Sequence, residues 1–265
     1  MNWEEAKKRE VFSVLTGSRL YGTERPDSDF DIRSVFIADP LYTGPTTIRN
    51  PDGSDESTCE LREFVRLLVQ GDNQKIEMLY APSNKVYLLD TRHFQPILDT
   101  KKTFLSKAWM GKTLGFARSV VSRSPEPWPS KHKDVAHVLR VLTAMHRTNL
   151  SGCFDPVVRN AVELEHLTRL KSGLASNQDL ETAISMYIKP LEKYLSEVHT
   201  LKPLPDVELS RVQTALGTVL TRFWGYHDEP KPSTTAVEPE TYESNYDRDT
   251  AFLVSYNKQD VGGWS

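Results

Sequence analysis

The stretch "TGSRLYGTERPDSDFDIRSV", residues 16–35, decides how this chain is read, because a Gly-Ser pair is followed within a dozen residues by two aspartates one residue apart. The run "VFSVLTGS" (11–18) is β-rich and ends in a Gly-Ser turn; "SDFDIRSVFIAD" (28–39) alternates polar and apolar residues, then turns apolar from Val35 to Ile37. Side chains at i and i+2 of a strand share a face, so Asp29 and Asp31 are expected to project together, with Phe30 and Ile32 on the opposite, core side. Two carboxylates placed so closely repel each other unless a cation or a shared proton offsets the charge. Mg²⁺ or Mn²⁺ suits such oxygen donors and keeps positions open for substrate phosphates. Gly17 allows a close backbone turn with exposed N–H groups, and the Ser18 hydroxyl adds a donor for a phosphate oxygen. The competing reading is an acidic surface hairpin, since Asp27, Ser28 and Asp29 are common turn formers. The order of strand, Gly-Ser turn, short loop and Asp-x-Asp strand favours a metal and phosphate site. Two metals clamping the attacking and leaving oxygens require a third carboxylate. Glu60, where a short strand "ESTCE" meets a helix starting at Leu61, is the candidate, and Glu77 in "KIEMLY" is the alternative.

Working outward, residues 38–57 carry Pro40, Gly44, Pro45, Pro51 and Gly53 and read as a flap-like loop with room for a small hairpin. Leu61, Phe64, Val65 and Leu68 form a helical apolar stripe closed by Gly71, and "QKIEMLYAP" reads as a further strand. From Phe94 onward strand signals nearly vanish, and residues 104–122, 131–149, 156–171, 178–199 and 206–225 read as helices. Ser176 with Asp179 makes a capping box for the fourth, and Pro190 is expected to kink or end it. The element order describes an α/β or α+β sheet module at 1–93, here taken as α+β, followed by a helical domain at 94–228 and a largely irregular tail at 229–265.

The 265 residues, 38% hydrophobic and 26% charged, suffice for a real core. A net charge of −3 gives no global footprint for nucleic acid and leaves a local basic patch as the alternative. The N-terminus lacks a secretory h-region and no apolar run approaches membrane-spanning length, so a cytoplasmic location is expected. Cys59 and Cys153 have no zinc-like spacing and read as reduced structural thiols. In "KHKDVAHVLR", Lys133, His137 and Arg140 share one helical face opposite an apolar one, either a solvated basic face or a cationic wall for phosphates. His132 and His137 lie five apart, poorly placed to share a metal, and "GKT" at 111–113 lacks the upstream glycine of a P-loop. Arg19, Tyr21, Ser28 and Arg33 flank the acidic strand as further phosphate-binding candidates, an arginine there either steadying a phosphate or merely pairing with the carboxylates.

"GSRLYG" with "PDSDFDIRSVF", followed by "ELREFVRLLVQGDNQKIEMLYAP", "FLSKAWMGKTLGFARS" and "KHKDVAHVLRVL", resembles the RlaP-type, RNA-ligase-associated nucleotidyltransferases of the DNA polymerase β superfamily. The resemblance covers residues 11–174. It implies a mixed-sheet catalytic domain, Mg²⁺ dependence and transfer of a nucleoside monophosphate from an NTP to a hydroxyl, with pyrophosphate leaving. It places the triphosphate on Gly17 and Ser18, metal on Asp29 and Asp31, and the third acidic position on Glu60. Ser34 stands where the family pattern "DIRG" has glycine, and "GDNQKIEML" replaces "GNPNVLEML". The acceptor it favours is an RNA end, with a protein hydroxyl as the alternative. A toxin-neutralising partner or an inactive nucleotide-binding module are further readings, and Asp-x-Asp glycosyltransferases lack the upstream Gly-Ser pair.

Overall fold

The computed structural model describes residues 1–122, 129–172 and 175–225. The first half runs α1 (Trp3–Lys8), β1 (Glu10–Leu15), α2 (Gly17–Tyr21), β2 (Ile32–Phe36), β3 (Thr47–Arg49), β4 (Glu56–Glu60), α3 (Leu61–Val69), α4 (Asn73–Leu79), β5 (Val86–Leu89) and α5 (Thr91–Leu98). The second half is α6 (Lys107–Ser122), α7 (Pro129–Ser151), α8 (Ala161–Lys171), α9 (Asn177–Thr182), a π-helical stretch (Ala183–Ile188), α10 (Lys189–Leu201) and α11 (Leu209–Gly225). The strands form one mixed sheet in the order β3-β4-β2-β1-β5. β1 is antiparallel to β2 and β5, β2 is parallel to β4, and β3 with β4 makes a small hairpin that starts in the 38–57 stretch and runs on to Glu60. The α+β expectation is met: a mixed sheet followed by helices.

β1 lies between β2 and β5 and is buried continuously from Val11 to Leu15, with Phe12 stacked on Phe94 of α5 at a ring-centroid distance of 4.4 Å. All four stripe residues of α3 are buried. One hydrophobic core runs from the strands through α3, α5, α6 and α7 to Val212, Ala215 and Val219 of α11. A boundary at residue 93 therefore cuts through α5, whose Phe94 and Ile97 lie in that shared core. The tail expected at 229–265 lies outside the described residues.

Two local expectations change. "QKIEMLYAP" is helical over Asn73–Leu79, not a strand, because the Asp72 side chain accepts the Lys75 N–H and caps the first turn. Just before it, Gly71 adopts φ +75° against the Trp109 backbone, where a Cβ would overlap main-chain atoms. Pro190 does not end the fourth helix: it sits in the first turn of α10, directly after the π-helical stretch. That wider turn takes up the register where the proline has no N–H to give. The capping box of Ser176 and Asp179 forms as expected.

Candidate active site

The site is assembled where β1 ends and β2 begins. The antiparallel register sets Leu15 opposite Ile32, and one step further the Thr16 N–H and Oγ1 both donate to the Asp31 carbonyl, at 2.7 and 3.0 Å. Gly17 follows at φ +65°; a Cβ there would overlap Asp31 Oδ2 and lie 2.9 Å from Asp31 Cγ. Glycine is thus required both by backbone conformation and by the carboxylate against it. The first-turn N–H groups of a helix have no intrahelical acceptor, so the start of α2 offers donors beside the Asp31 carboxylate. The two halves of the stretch 16–35 meet in one place.

Asp31 is half-buried, and burial pushes its pKa above the usual carboxylate range; Arg33 opposes the shift, while Asp55 and Asp29 add to it. Arg33 Nη2 lies 3.5 Å from Asp31 Oδ1, and the same guanidinium donates to the Ile32 and Asp55 carbonyls, clamping the starts of β2 and β4 together. Asp29 is exposed. Phe30 does not enter the core: it is 56% exposed, because residues 28–31 precede β2 as loop and do not follow strand alternation. The Arg19 guanidinium lies 3.8 Å from the centre of the Phe30 ring and donates to the carbonyls of Ser28 and Asp29. Ser28 Oγ accepts the Arg25 N–H at 2.8 Å. Arg19 and Ser28, expected at the nucleotide, shape the loop that carries the aspartates.

Glu60 is not beside them. Parallel pairing of β2 with β4 sets Ile32 against Glu56 and Phe36 against Glu60, so Glu60 lies four residues down the strand, about 13 Å from the aspartate end. It is 3% exposed, accepts the N–H groups of Arg62 and Glu63 at 2.8 and 3.2 Å, and pairs with Arg62 Nε at 3.0 Å. It is the N-cap of α3. Continuing the register one residue the other way brings Asp55 level with Asp31, and the Asp55 carbonyl accepts the Ile32 N–H at 3.2 Å. Asp55 was hidden in the turn-rich "PDGSDES"; its signal was a carboxylate one residue before the strand pairing with β2. Among the described residues no three His, Cys, Asp or Glu side chains form a ready-made metal cage.

Glu77 is committed elsewhere. It is 3% exposed, accepts the Tyr21 hydroxyl at 2.6 Å and pairs with Arg140 Nη2 at 2.9 Å, while the Arg140 guanidinium sits 3.5 Å from the centre of the Tyr21 ring. Burial, with the Glu77 charge beside it, raises the Tyr21 pKa, so the phenol stays protonated. Arg140 is 2% exposed, so the basic face expected on α7 divides: Arg140 is interior, Lys133 exposed and His137 between them. Burial, aided by Arg140, lowers His137 to about 4. A neutral His137 Nδ1 can then accept Arg140 Nη2, 3.3 Å away. Tyr21, Glu77 and Arg140 join α2, α4 and α7 into one strut at the helix that starts with Gly17 and Ser18.

Residues 2–221 match the family model described as the RNA repair pathway DNA polymerase beta family, RlaP. The chain belongs to this family. Among curated relatives of this RlaP chain, an uncharacterized 38.9 kDa protein from the nrdC-mobD intergenic region of Enterobacteria phage T4 is 26% identical over 127 residues, 43% of this chain and 38% of the phage protein. The match thus spans well under half of that relative. A solved nucleotidyltransferase-like protein from Exiguobacterium sibiricum 255-15 aligns with 86% of this RlaP chain and 78% of its own, at 15% identity and a TM-score of 0.30. No helix among the described residues is long and apolar enough to cross a membrane.

Proposed function

We propose that this RlaP-family chain is a metal-dependent nucleotidyltransferase that moves a nucleoside monophosphate from an NTP to an RNA hydroxyl and releases pyrophosphate. The observation that carries the reading is the Asp31 carboxylate lying against the Gly17 backbone, which joins an anion-binding turn to a carboxylate pair. The family description, an RNA repair pathway, supports RNA as the acceptor.

The residues fit a divalent cation: they are hard oxygen donors, and the charges of Asp55 and Asp29 press on a half-buried Asp31 that gains from a cation. Asp29 and Asp31 would hold it, with Asp55 in the place first given to Glu60. Mg²⁺ or Mn²⁺ bound there would neutralise phosphate charge and favour loss of a proton from the acceptor hydroxyl. The chain's own residues do the positioning. Gly17 and Ser18 direct donors at the triphosphate, Thr16 pins Asp31 to the end of β1, and Arg33 keeps β2 and β4 in register. Catalysis in such a site is chiefly electrostatic and geometric.

The test incubates wild type and an Asp29→Asn/Asp31→Asn variant with each α-labelled NTP, Mg²⁺ or Mn²⁺, and total RNA or total protein. The proposal expects label in RNA from wild type alone. Label confined to protein moves the acceptor to a side-chain hydroxyl, and equal signals from wild type and variant remove the proposal.

A further inference from the structure

We infer that Lys171, the last residue of α8, binds the outer phosphates of the nucleoside triphosphate. The inference rests on the nucleotide-binding reading above and adds a residue from the helical half. Three observations converge on it. The Thr23 N–H donates to the Ser18 carbonyl at 3.0 Å, folding the chain back after α2, and Lys171 Nζ lies 3.1 Å from Thr23 Oγ1 and 3.5 Å from Thr23 O. The ammonium is thereby held beside the segment that carries the phosphate turn.

The charge balance there is uneven. Arg140 is matched by Glu77, Arg33 by Asp31 and Arg25 by Asp27 at 3.4 Å, whereas Lys171 and Lys133 have no ion-pair partner among the described residues. Lys171 is half-buried, facing the like charges of Arg140, Arg25 and Lys133, with Glu24 the opposing acid. Burial and repulsion both disfavour this arrangement in the empty protein, and a polyanion reverses the sign of the second effect. Thr23 spends its hydroxyl and carbonyl on the amine, leaving a third N–H to donate.

The experiment measures binding of AMP, ADP and ATP, each with Mn²⁺, by calorimetry to wild type, Lys171→Met and Lys171→Arg. Losing one charge-assisted contact to a phosphate should weaken ATP about tenfold in Lys171→Met, leave AMP unchanged, and be largely restored in Lys171→Arg. Methionine keeps the aliphatic stem and removes the repulsion, so Lys171→Met should melt no lower than wild type. An equal loss for AMP and ATP, or no loss for either, overturns the inference while ATP binding by wild type stands. If wild type binds no ATP, the nucleotide reading fails and the inference with it.

Discussion

Replacing Glu77 by Gln tests whether its carboxylate is a structural anchor or a metal ligand. The carboxylate is buried, takes the Tyr21 hydroxyl on Oε2 and the Arg140 guanidinium on Oε1, and Arg140 is interior as well. Removing one partner of a buried ion pair costs about 3–5 kcal/mol, because the other charge stays behind uncompensated. Glutamine preserves shape and an acceptor, so the lower end, about 3 kcal/mol, is expected. For a domain of this size that is a fall in Tm of roughly 6–12 °C. The assay is thermal and urea unfolding of Glu77→Gln, Arg140→Met and the double variant, without metal. The double variant should lose less than the sum, since it buries neither charge. A ligand role predicts the opposite sign, a Tm that rises when a repelling carboxylate is removed from an empty site. A loss under about 1 kcal/mol, typical of an exposed ion pair, or any gain, would refute the strut.

Gly17→Ala should destabilise by about 1–2 kcal/mol through its left-handed φ, and should abolish ATP binding in calorimetry because the new methyl displaces the Asp31 carboxylate. Glu60→Gln should weaken the α3 cap by about 1 kcal/mol in urea unfolding yet leave Mn²⁺ affinity unchanged, and a lost metal site would restore Glu60 as a ligand. His137 has a folded pKa near 4, below its unfolded value of about 6.5, so its contribution is present above pH 6.5 and lost as pH falls toward 4. Unfolding curves across that window should show a loss on the order of 3 kcal/mol, and His137→Gln should flatten it.

The half of the site built from neighbouring residues was legible in sequence. A strand, a Gly-Ser turn and an acidic strand start must meet when the two strands pair antiparallel, and they do at Thr16 and Asp31. The α3 stripe and the long helices followed from period alone. Glu60 and Asp55 could not be told apart that way, because the choice depends on the parallel register of β2 with β4, which only packing sets. The alternation in "KIEML" mimics a strand, and the Asp72 cap decides for helix. Arg140 shares a helical face with Lys133, yet its burial depends on Glu77 and Tyr21, some sixty and more residues earlier in the chain. Phe30 obeyed loop geometry where alternation predicted core.

The central claim is that Gly17–Ser18 and Asp29–Asp31 make one metal–nucleotide centre. Mn²⁺ binding followed by electron paramagnetic resonance, with and without ATP, tests it most directly. In wild type ATP should tighten Mn²⁺ binding and Mn²⁺ should tighten ATP binding by the same factor, and Asp31→Asn should abolish both effects. Mn²⁺ and ATP that bind independently of each other, or a coupling that survives Asp31→Asn, would contradict the account.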